Sequence, residues 1–211
     1  LLMDVKHIDN QDVDIRGNVL RGVVTKYTGW TESANGAITF QGAIDRSTTT
    51  ATSAGFDLRG NALQQNTVTE YFDTTADNGA GAFKLSESQL IQNGHYDIHD
   101  RTASTVIASY DKDFTAPLAE GEAAAKILST QVIKYGGVDA NNNPLRGYND
   151  YGNVLNQTTD TYDGGSIASG GAITFDPAKL VTHTRTANEY NGPISIQDST
   201  GSRLENQSSA I

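Results

Sequence analysis

The pattern of polar and apolar positions returns five times along the chain. A polar residue is followed by a small turn residue, then by an apolar residue, and about seven positions later by an aromatic or branched one. The copies start at Asp14, Asp57, Asp97, Asn149 and Asp198. The mean interval between starts is about 46 residues, which indicates a chain built from copies of one supersecondary unit.

The first residues of each copy predict a hairpin tip. Asp or Asn favours the first position of a type I turn, and Gly favours the fourth, where φ is positive. A strand resuming directly afterwards makes a hairpin with a glycine bulge. The predicted turn residues are Asp14, Gly17, Asn18, Asp57, Gly60, Asn61, Asn149, Gly152, Asn153 and, in the fifth copy, Gly201.

Strands rich in Thr, Val and Tyr leave each tip. We expect Leu20, Leu63 and Leu155 to anchor the starts of these strands. The aromatic residues Tyr27, Tyr71, Tyr110 and Tyr162 are predicted to stack in register as a packing spine. Polar and apolar residues alternate only weakly along these strands, and neither face of residues 155–162 is apolar. This pattern favours stacked repeats that share a narrow core. The alternative is that these are ordinary strands of a single globular β-sandwich.

The incoming strands set the boundaries of the units. Ala37-Ile-Thr-Phe40 and Ala172-Ile-Thr-Phe175 are two of the segments expected to begin new copies, each after a loop of small and polar residues. The predicted fold is all-β, with tandem β-hairpin repeats of about 46 residues forming an extended or coiled array. The repeats span 1–36, 37–81, 82–123, 124–171 (with an inserted turn at 138–147) and 172–211.

The phrase from Tyr148 to Leu155, ending in Tyr162-Asp163, resembles the tyrosine-aspartate (YD, or RHS-type) repeats of very large bacterial surface and secreted proteins. Phe56-Asp57 and the residues after it resemble the same repeats. The resemblance implies β-hairpins that coil into a continuous sheet, with an architectural role as stalk, shell or adhesive fibre. Repeats of that family are usually about half as long as the interval here. The longer interval of this chain is equally compatible with an extended filament. A weaker similarity is to flagellar hook and tail-fibre proteins.

Composition narrows the class of protein further. The net charge is −10, and the sequence has no cluster of Lys and Arg that could neutralise the phosphates of a nucleic acid. No apolar run approaches the roughly 20 residues of a membrane span. Cysteine is absent, so there is neither a disulfide framework nor a thiolate site. We expect a processed piece or segment of an extracellular or cell-surface protein.

One segment has the oxygen spacing of a calcium loop. Asp139, Asn141 and Asn143 stand at its first, third and fifth positions and Asp150 at its twelfth. Pro144 stands where that loop needs glycine, so a duplicated hairpin turn is the competing interpretation. No other cofactor is expected.

Catalysis has no support in the sequence, which contains no Gly-x-Ser-x-Gly elbow. We therefore expect a structural repeat protein, not an enzyme: a segment or subunit of an extracellular fibre, sheath or stalk assembled through β-strand pairing with further copies. The alternative is an adhesin or carbohydrate-binding tail-fibre module, in which Trp30 and the tyrosines stack on surface glycans. A β-helical polysaccharide lyase stays possible, because one interval has room for two rungs.

Overall fold

A computed structural model describes residues 4–110, 127–139, 141–168, 170–190 and 207–210. Its strands are Val5–Val13 (β1), Val19–Glu32 (β2), Ile38–Thr50 (β3), Gln64–Asp73 (β4), Ala82–Asn93 (β5), Ser104–Tyr110 (β6), Ile127–Tyr135 (β7), Gly137–Val138 (β8), Pro144–Leu145 (β9), Asn156–Asp163 (β10), Ser166–Ile167 (β11), Ile173–Thr174 (β12), Leu180–Tyr190 (β13) and Gln207–Ala210 (β14). Short 3-10 turns span Ser53–Gly55, Asp77–Gly79 and Pro177–Lys179. Within these ranges no helix is long and apolar enough to cross a membrane.

Ten of the described strands form one antiparallel sheet. Their order is β1-β2-β3-β4-β5-β6-β7-β10-β13-β14, which follows the order along the chain. Each strand pairs with the next one in this order, as in a meander. The prediction of an all-β fold is therefore confirmed, and the described sheet is open, with β1 and β14 at its edges.

Four of the five predicted turns lie together at one end of this sheet. Consecutive strands of a meander reverse direction, so the connections β1–β2, β3–β4, β5–β6 and β7–β10 share that end. We call their turns tip 1 (14–18), tip 2 (57–61), tip 3 (97–101) and tip 4 (149–153). Segment 138–147 forms its own small hairpin, β8–β9, just ahead of tip 4.

A shift of register recurs at a constant distance from each tip. It falls between residues 26 and 27, 69 and 70, 109 and 110, and 161 and 162. The residues that follow the shift are Tyr27, Glu70, Tyr110 and Tyr162. Tyr71 was grouped with these tyrosines, but it lies one position further from its tip than they do. Because side chains alternate between faces along a strand, this single step places Tyr71 on the opposite face, where it is 50% exposed.

Two of the tyrosines predicted to form a packing spine stack on phenylalanines. Tyr27 stacks on Phe40, at 4.9 Å between ring centroids, and Tyr162 stacks on Phe175, at 4.2 Å. Both contacts join a tyrosine to the phenylalanine of an Ile-Thr-Phe segment that follows it in the chain. At these two positions the tyrosine thus packs on the phenylalanine of the segment that follows it in the chain.

The core is small and mixed in character. Its main cluster consists of Leu90, Ala108, Tyr110, Ile127 and Ile173. In the described part of the chain, seven hydrophobic and seven polar residues are buried, and most of the latter are threonines. Since buried hydroxyls contribute far less than buried methyl groups, little of the sheet's stability comes from an apolar core.

The segment from Ala172 to Phe175 does not lead directly into a long strand. Ile173 lies in the short β11–β12 hairpin, which folds back over the sheet, and the next long strand, β13, starts only at Leu180. The Gln92 amide nitrogen donates to the Gly171 carbonyl at 2.6 Å, and the Ile173 amide donates to the Gln92 side-chain oxygen at 2.9 Å. These bonds hold Ile173 over the core, where it is 8% exposed.

A comparison of two identical pentapeptides tests this placement. Gly-Ala-Ile-Thr-Phe occurs at 36–40 and 171–175, with Ile38 55% exposed and Ile173 buried. Ile173→Ala should lower the free energy of unfolding by about 2–4 kcal/mol, because it removes buried methyl groups and leaves a cavity. Ile38→Ala should change it by no more than about 0.5 kcal/mol. Equal losses in urea unfolding would contradict the fold-back of this hairpin.

Candidate interaction surface at the hairpin tips

Each tip is closed by the side chain of its first residue. In tip 1, Asp14 Oδ1 accepts hydrogen bonds from the amides of Arg16 (2.8 Å) and Asn18 (2.9 Å), and Oδ2 accepts from Asn18 Nδ2 (3.0 Å). The Gly17 amide donates to the Asp14 carbonyl at 3.0 Å, and Gly17 has a φ of +87°. This is a type I turn with a glycine in the left-handed region, as expected for a bulged hairpin.

Tip 2 repeats these bonds with nearly the same distances. Asp57 accepts from the amides of Arg59 (2.8 Å) and Asn61 (2.9 Å) and from Asn61 Nδ2 (3.0 Å). Gly60 has a φ of +89°. The same local chemistry therefore folds two segments that lie 43 residues apart in the chain.

Tips 3 and 4 keep the turn with different residues. Asp100 takes the place of the glycine in tip 3 and has a φ of +59°, a conformation that Asp tolerates better than most residues.

In tip 4 the amide oxygen of Asn149 replaces a carboxylate and accepts from the amides of Tyr151 (3.0 Å) and Asn153 (2.9 Å). Gly152 there has a φ of +84°. Gly201, in the fifth copy, lies outside the described residues.

The calcium-loop candidate forms a turn of this same kind. Asp139 Oδ1 accepts from the amides of Asn141 and Asn143, both at 2.8 Å, and Oδ2 accepts from Asn143 Nδ2 at 2.9 Å. Asp150 is bound instead by Arg146. The described residues contain no group of three or more His, Cys, Asp or Glu side chains that could hold a metal. These contacts favour the duplicated turn over the calcium loop.

Arginine side chains join each tip to the next. Arg16 donates to the Ser53 carbonyl at 2.7 Å and to the Asp57 carbonyl at 3.2 Å. The contacts continue from tip 2 to tip 3 through Arg59, which lies 2.9 Å from Asp100 Oδ1, and from tip 3 to tip 4 through Arg101, which donates to the Asn149 carbonyl at 2.9 Å. Arg16 and Arg101 thus each bind a backbone carbonyl of the following turn, and Arg59 binds a carboxylate of the following turn.

Tyrosine hydroxyls next to tips 3 and 4 donate hydrogen bonds back to the preceding tip. Tyr96, just before tip 3, donates to the Ala62 carbonyl beside tip 2 at 2.8 Å. Tyr148, just before tip 4, donates to the Thr102 carbonyl beside tip 3 at 2.9 Å. Burial, followed by the nearby Tyr135, raises the pKa of Tyr148 to about 12. At neutral pH the hydroxyl therefore keeps its proton and acts as a donor.

The predicted leucine anchors act through their backbones. The backbone carbonyls of Leu20, Leu63 and Leu155 each accept a hydrogen bond of 2.8 Å from an amide at the end of the next strand in the sheet. The donors are Ala51, Asn93 and Asn188, respectively. Their side chains are half-buried. Each leucine thus stands where a tip ends and the next strand is added to the sheet.

Sequence reasoning missed the exposed apolar residues of the tips. Ile15, Leu58 and Ile98 occupy the second turn position, and Tyr151 occupies the third position of tip 4. All four point into solvent. Aligning the copies by turn position would have revealed them, because an exposed turn position ordinarily takes a polar residue.

Comparisons with protein-family models, with curated proteins and with solved structures found no match.

Two glycine variants separate backbone strain from contact between tips. Gly152→Ala should cost about 1–2 kcal/mol of unfolding free energy, because a Cβ is disfavoured at positive φ but meets no atom within 4 Å. Gly60→Ala should cost more, since its Cβ would lie 2.9 Å from Asn18 Oδ1 of tip 1. Urea unfolding measures both. The excess should disappear in an Asn18→Ala background; an equal cost for the two glycines would contradict the close approach of tips 1 and 2.

Lowering the pH should destabilise the turns. The hydrogen bond from Arg101, together with amides of the turn and against the effect of burial, lowers the pKa of Asp97 from 3.8 to about 2. A depressed folded pKa means that the carboxylate stabilises the fold at neutral pH and that this contribution is lost as pH falls from about 4 to 2. Asp97→Asn keeps the amide acceptor seen at Asn149 but removes the titration, so its unfolding free energy should fall less over this range than that of the wild type.

The matched control is Asp163→Asn, which makes the same change of charge at an exposed strand end. It should retain the acid dependence of the wild type. If both variants lost stability along the same curve, the turn carboxylate would not be the titrating group.

Proposed function

We propose that this chain is a structural repeat protein, a segment or subunit of an extracellular or cell-surface fibre, sheath or stalk that assembles through β-strand pairing with further copies. The observation that carries the proposal is an open meander sheet whose turns are bonded to one another along one end. The recurring turn and register shift support tandem repeats, and the phrases around Asp57 and Asn149 support a relation to YD/RHS-type repeats.

The small number of buried hydrophobic residues in the described part of the chain supports an assembled state. With so few buried hydrophobic residues, each unit contributes little core of its own, and lateral neighbours supply the remaining contacts, as in repeat proteins generally.

Strand β1 is the edge where another copy would add. In the described residues β1 pairs only with β2, and every residue of β1 after Val5 is exposed. Strands β3, β5 and β7 also lead into a tip, and each of them has an additional strand on the side that is open in β1. A strand of a second copy can satisfy the open amides and carbonyls of β1 in the same way.

Binding of surface glycans is the second candidate, favoured by an aromatic cluster on the first three strands. His7 and Tyr27 contact Phe40, with centroid distances of 4.8 Å and 4.9 Å. Trp30 is the cross-strand partner of Phe40 and is 43% exposed. Aromatic faces of this kind stack on apolar faces of ligands such as sugar rings.

Negative-stain electron microscopy of concentrated protein, compared with His7→Pro and Ile8→Pro, tests edge pairing. Neighbouring residues of a strand point their amides to opposite sides, so one proline removes an open amide and the other breaks the β1–β2 ladder. The proline on the open side should abolish filaments while keeping the melting temperature within a few degrees. Assembly by both folded variants would contradict the proposal. Dispersed particles that bind a glycan array, with binding lost in Trp30→Ala, would favour the second candidate.

A further inference from the structure

Asn93 joins β5 to the hairpin that precedes it in the sheet. Its backbone amide donates to the Leu63 carbonyl at 2.8 Å, and its Nδ2 donates to the Ala62 carbonyl at 2.9 Å. Both acceptors follow tip 2, six and five residues beyond Asp57. On the other side of β5, the Thr105 hydroxyl of β6 donates to Asn93 Oδ1 at 2.8 Å. The side-chain amide of Asn93 therefore bridges the two strands that flank β5.

Asn188 makes the same pair of bonds at a second junction. Its backbone amide donates to the Leu155 carbonyl at 2.8 Å, and its Nδ2 donates to the Val154 carbonyl at 3.1 Å. These acceptors again lie six and five residues beyond the first residue of a tip, Asn149. We call this arrangement the asparagine clamp: an asparagine on an incoming strand, one that leads into a tip, binds two successive carbonyls that follow the preceding tip.

Asn10 occupies the same place in β1. It lies four residues before Asp14, as Asn93 lies four residues before Asp97, and each asparagine stands opposite the residue eight positions beyond that tip start. Asn10 Oδ1 lies 3.6 Å from the position of a Cβ on Gly22, so it faces β2 as Asn93 Oδ1 faces β6. Because the oxygen and nitrogen of an amide group lie on opposite sides of its carbon, Asn10 Nδ2 is directed towards the open edge of the sheet.

The backbone amide of Asn10 is directed towards the same edge. In β5 the Gly94 amide donates to the Ser104 carbonyl of β6, which leaves the preceding residue, Asn93, to bind the strand on the other side. Gln11 holds the position of Gly94 in β1, so the amide of Asn10 is directed away from β2. Within the described part of the chain the Asn10 side chain makes no hydrogen bond, and it is exposed where Asn93 is half-buried. Strand β1 thus presents an asparagine clamp with both donors free.

We propose that Asn10 is the recognition residue of the β1 edge and that its partner is strand β14 of a second copy of this chain. This inference rests on the proposed function and names the strand that pairs with β1. Asn93 and Asn188 bind residues that lead into β4 and β10, which are outgoing strands, so the clamp fits a strand that leaves a tip. In the described sheet β2, β4, β6 and β10 have neighbours on both sides, whereas β14, which runs in the same direction, pairs only with β13.

The two edges of the sheet are therefore complementary in kind, an incoming strand at β1 and an outgoing strand at β14. A contact between two different surfaces repeats from copy to copy, and where the rotation does not close a ring it gives a filament. At the two other junctions Ala51 and Tyr135 make the backbone bond with side chains that carry no amide group, so strand addition alone does not require the asparagine. Its side chain also fixes the register, because a slip of one residue would move it to the other face of the sheet.

Asn10→Asp tests the clamp, because it keeps the size of the side chain and replaces its two N–H donors by an oxygen that repels carbonyls. The variant should raise the protein concentration at which filaments pellet by at least tenfold, while the urea midpoint of unassembled protein stays unchanged. Asn93→Asp should instead lower that midpoint, since its clamp lies within the sheet. Asn35→Asp is the matched control: it adds the same charge in the β2–β3 turn, where Asn35 Oδ1 only accepts hydrogen bonds. It should pellet like the wild type.

The outcomes separate this inference from the proposed function. Filaments that form equally well from Asn10→Asp and the wild type would overturn the role of Asn10 and leave assembly through strand pairing in place. A wild-type protein that forms no filaments would overturn both.

Disulfide formation identifies the partner strand, since the chain has no cysteine of its own. His7→Cys is mixed under filament-forming, oxidising conditions with each of four single variants of β14: Gln207→Cys, Ser208→Cys, Ser209→Cys and Ala210→Cys. One mixture should give a disulfide-linked heterodimer in several-fold higher yield than the other three, because directly opposite residues of paired strands lie within disulfide range. Stronger crosslinking of His7→Cys with itself would assign β1 to a two-fold pair with a second β1 and overturn the inference. Uniformly low yields in all four mixtures would overturn it as well.

Discussion

The sheet depends on the hydrogen bonds that the first side chain of each turn makes to its own backbone. An oxygen of Asp14, Asp57, Asp97 or Asn149 accepts the amides of the residues two and four positions later. These bonds close a turn of five residues and fix how the flanking strands align. Once closed, the turn exposes carbonyls that the arginine of the preceding turn can reach, and lateral order follows from local order.

A fixed distance between turn and register shift organises the rest of each strand. The shift changes which side chains face the core, and it does so at the same distance from all four described tips. Glu70 consequently stands where the other three strands have tyrosine, and it binds Arg46 with distances of 2.7 Å and 2.9 Å. The sheet accepts this ion pair because its faces are only partly apolar. Its strands are joined more by backbone and polar side-chain bonds than by a hydrophobic core.

The parts of the structure that sequence predicted are those decided over a few residues. Turn residues such as Gly17 and Gly152 could be identified because positive φ and side-chain capping are local requirements. The placement of Ile173 could not, since the same pentapeptide at Ile38 is an exposed strand start, and only contacts with Gln92 and the distant core distinguish the two. Tyr71 was misassigned because a spacing longer by one residue reverses the face of a strand. The bonds between tips were missed because they join residues about 40 positions apart.

The most direct test of the account as a whole is X-ray fibre diffraction from aligned wild-type material. If the sheets of successive molecules continue into one another through β1, the strands lie across the filament axis. The pattern should then show a meridional reflection at about 4.7–4.8 Å, the spacing between paired strands. Filaments lacking that reflection, or protein that stays monomeric at millimolar concentration, would contradict assembly through the strand edges.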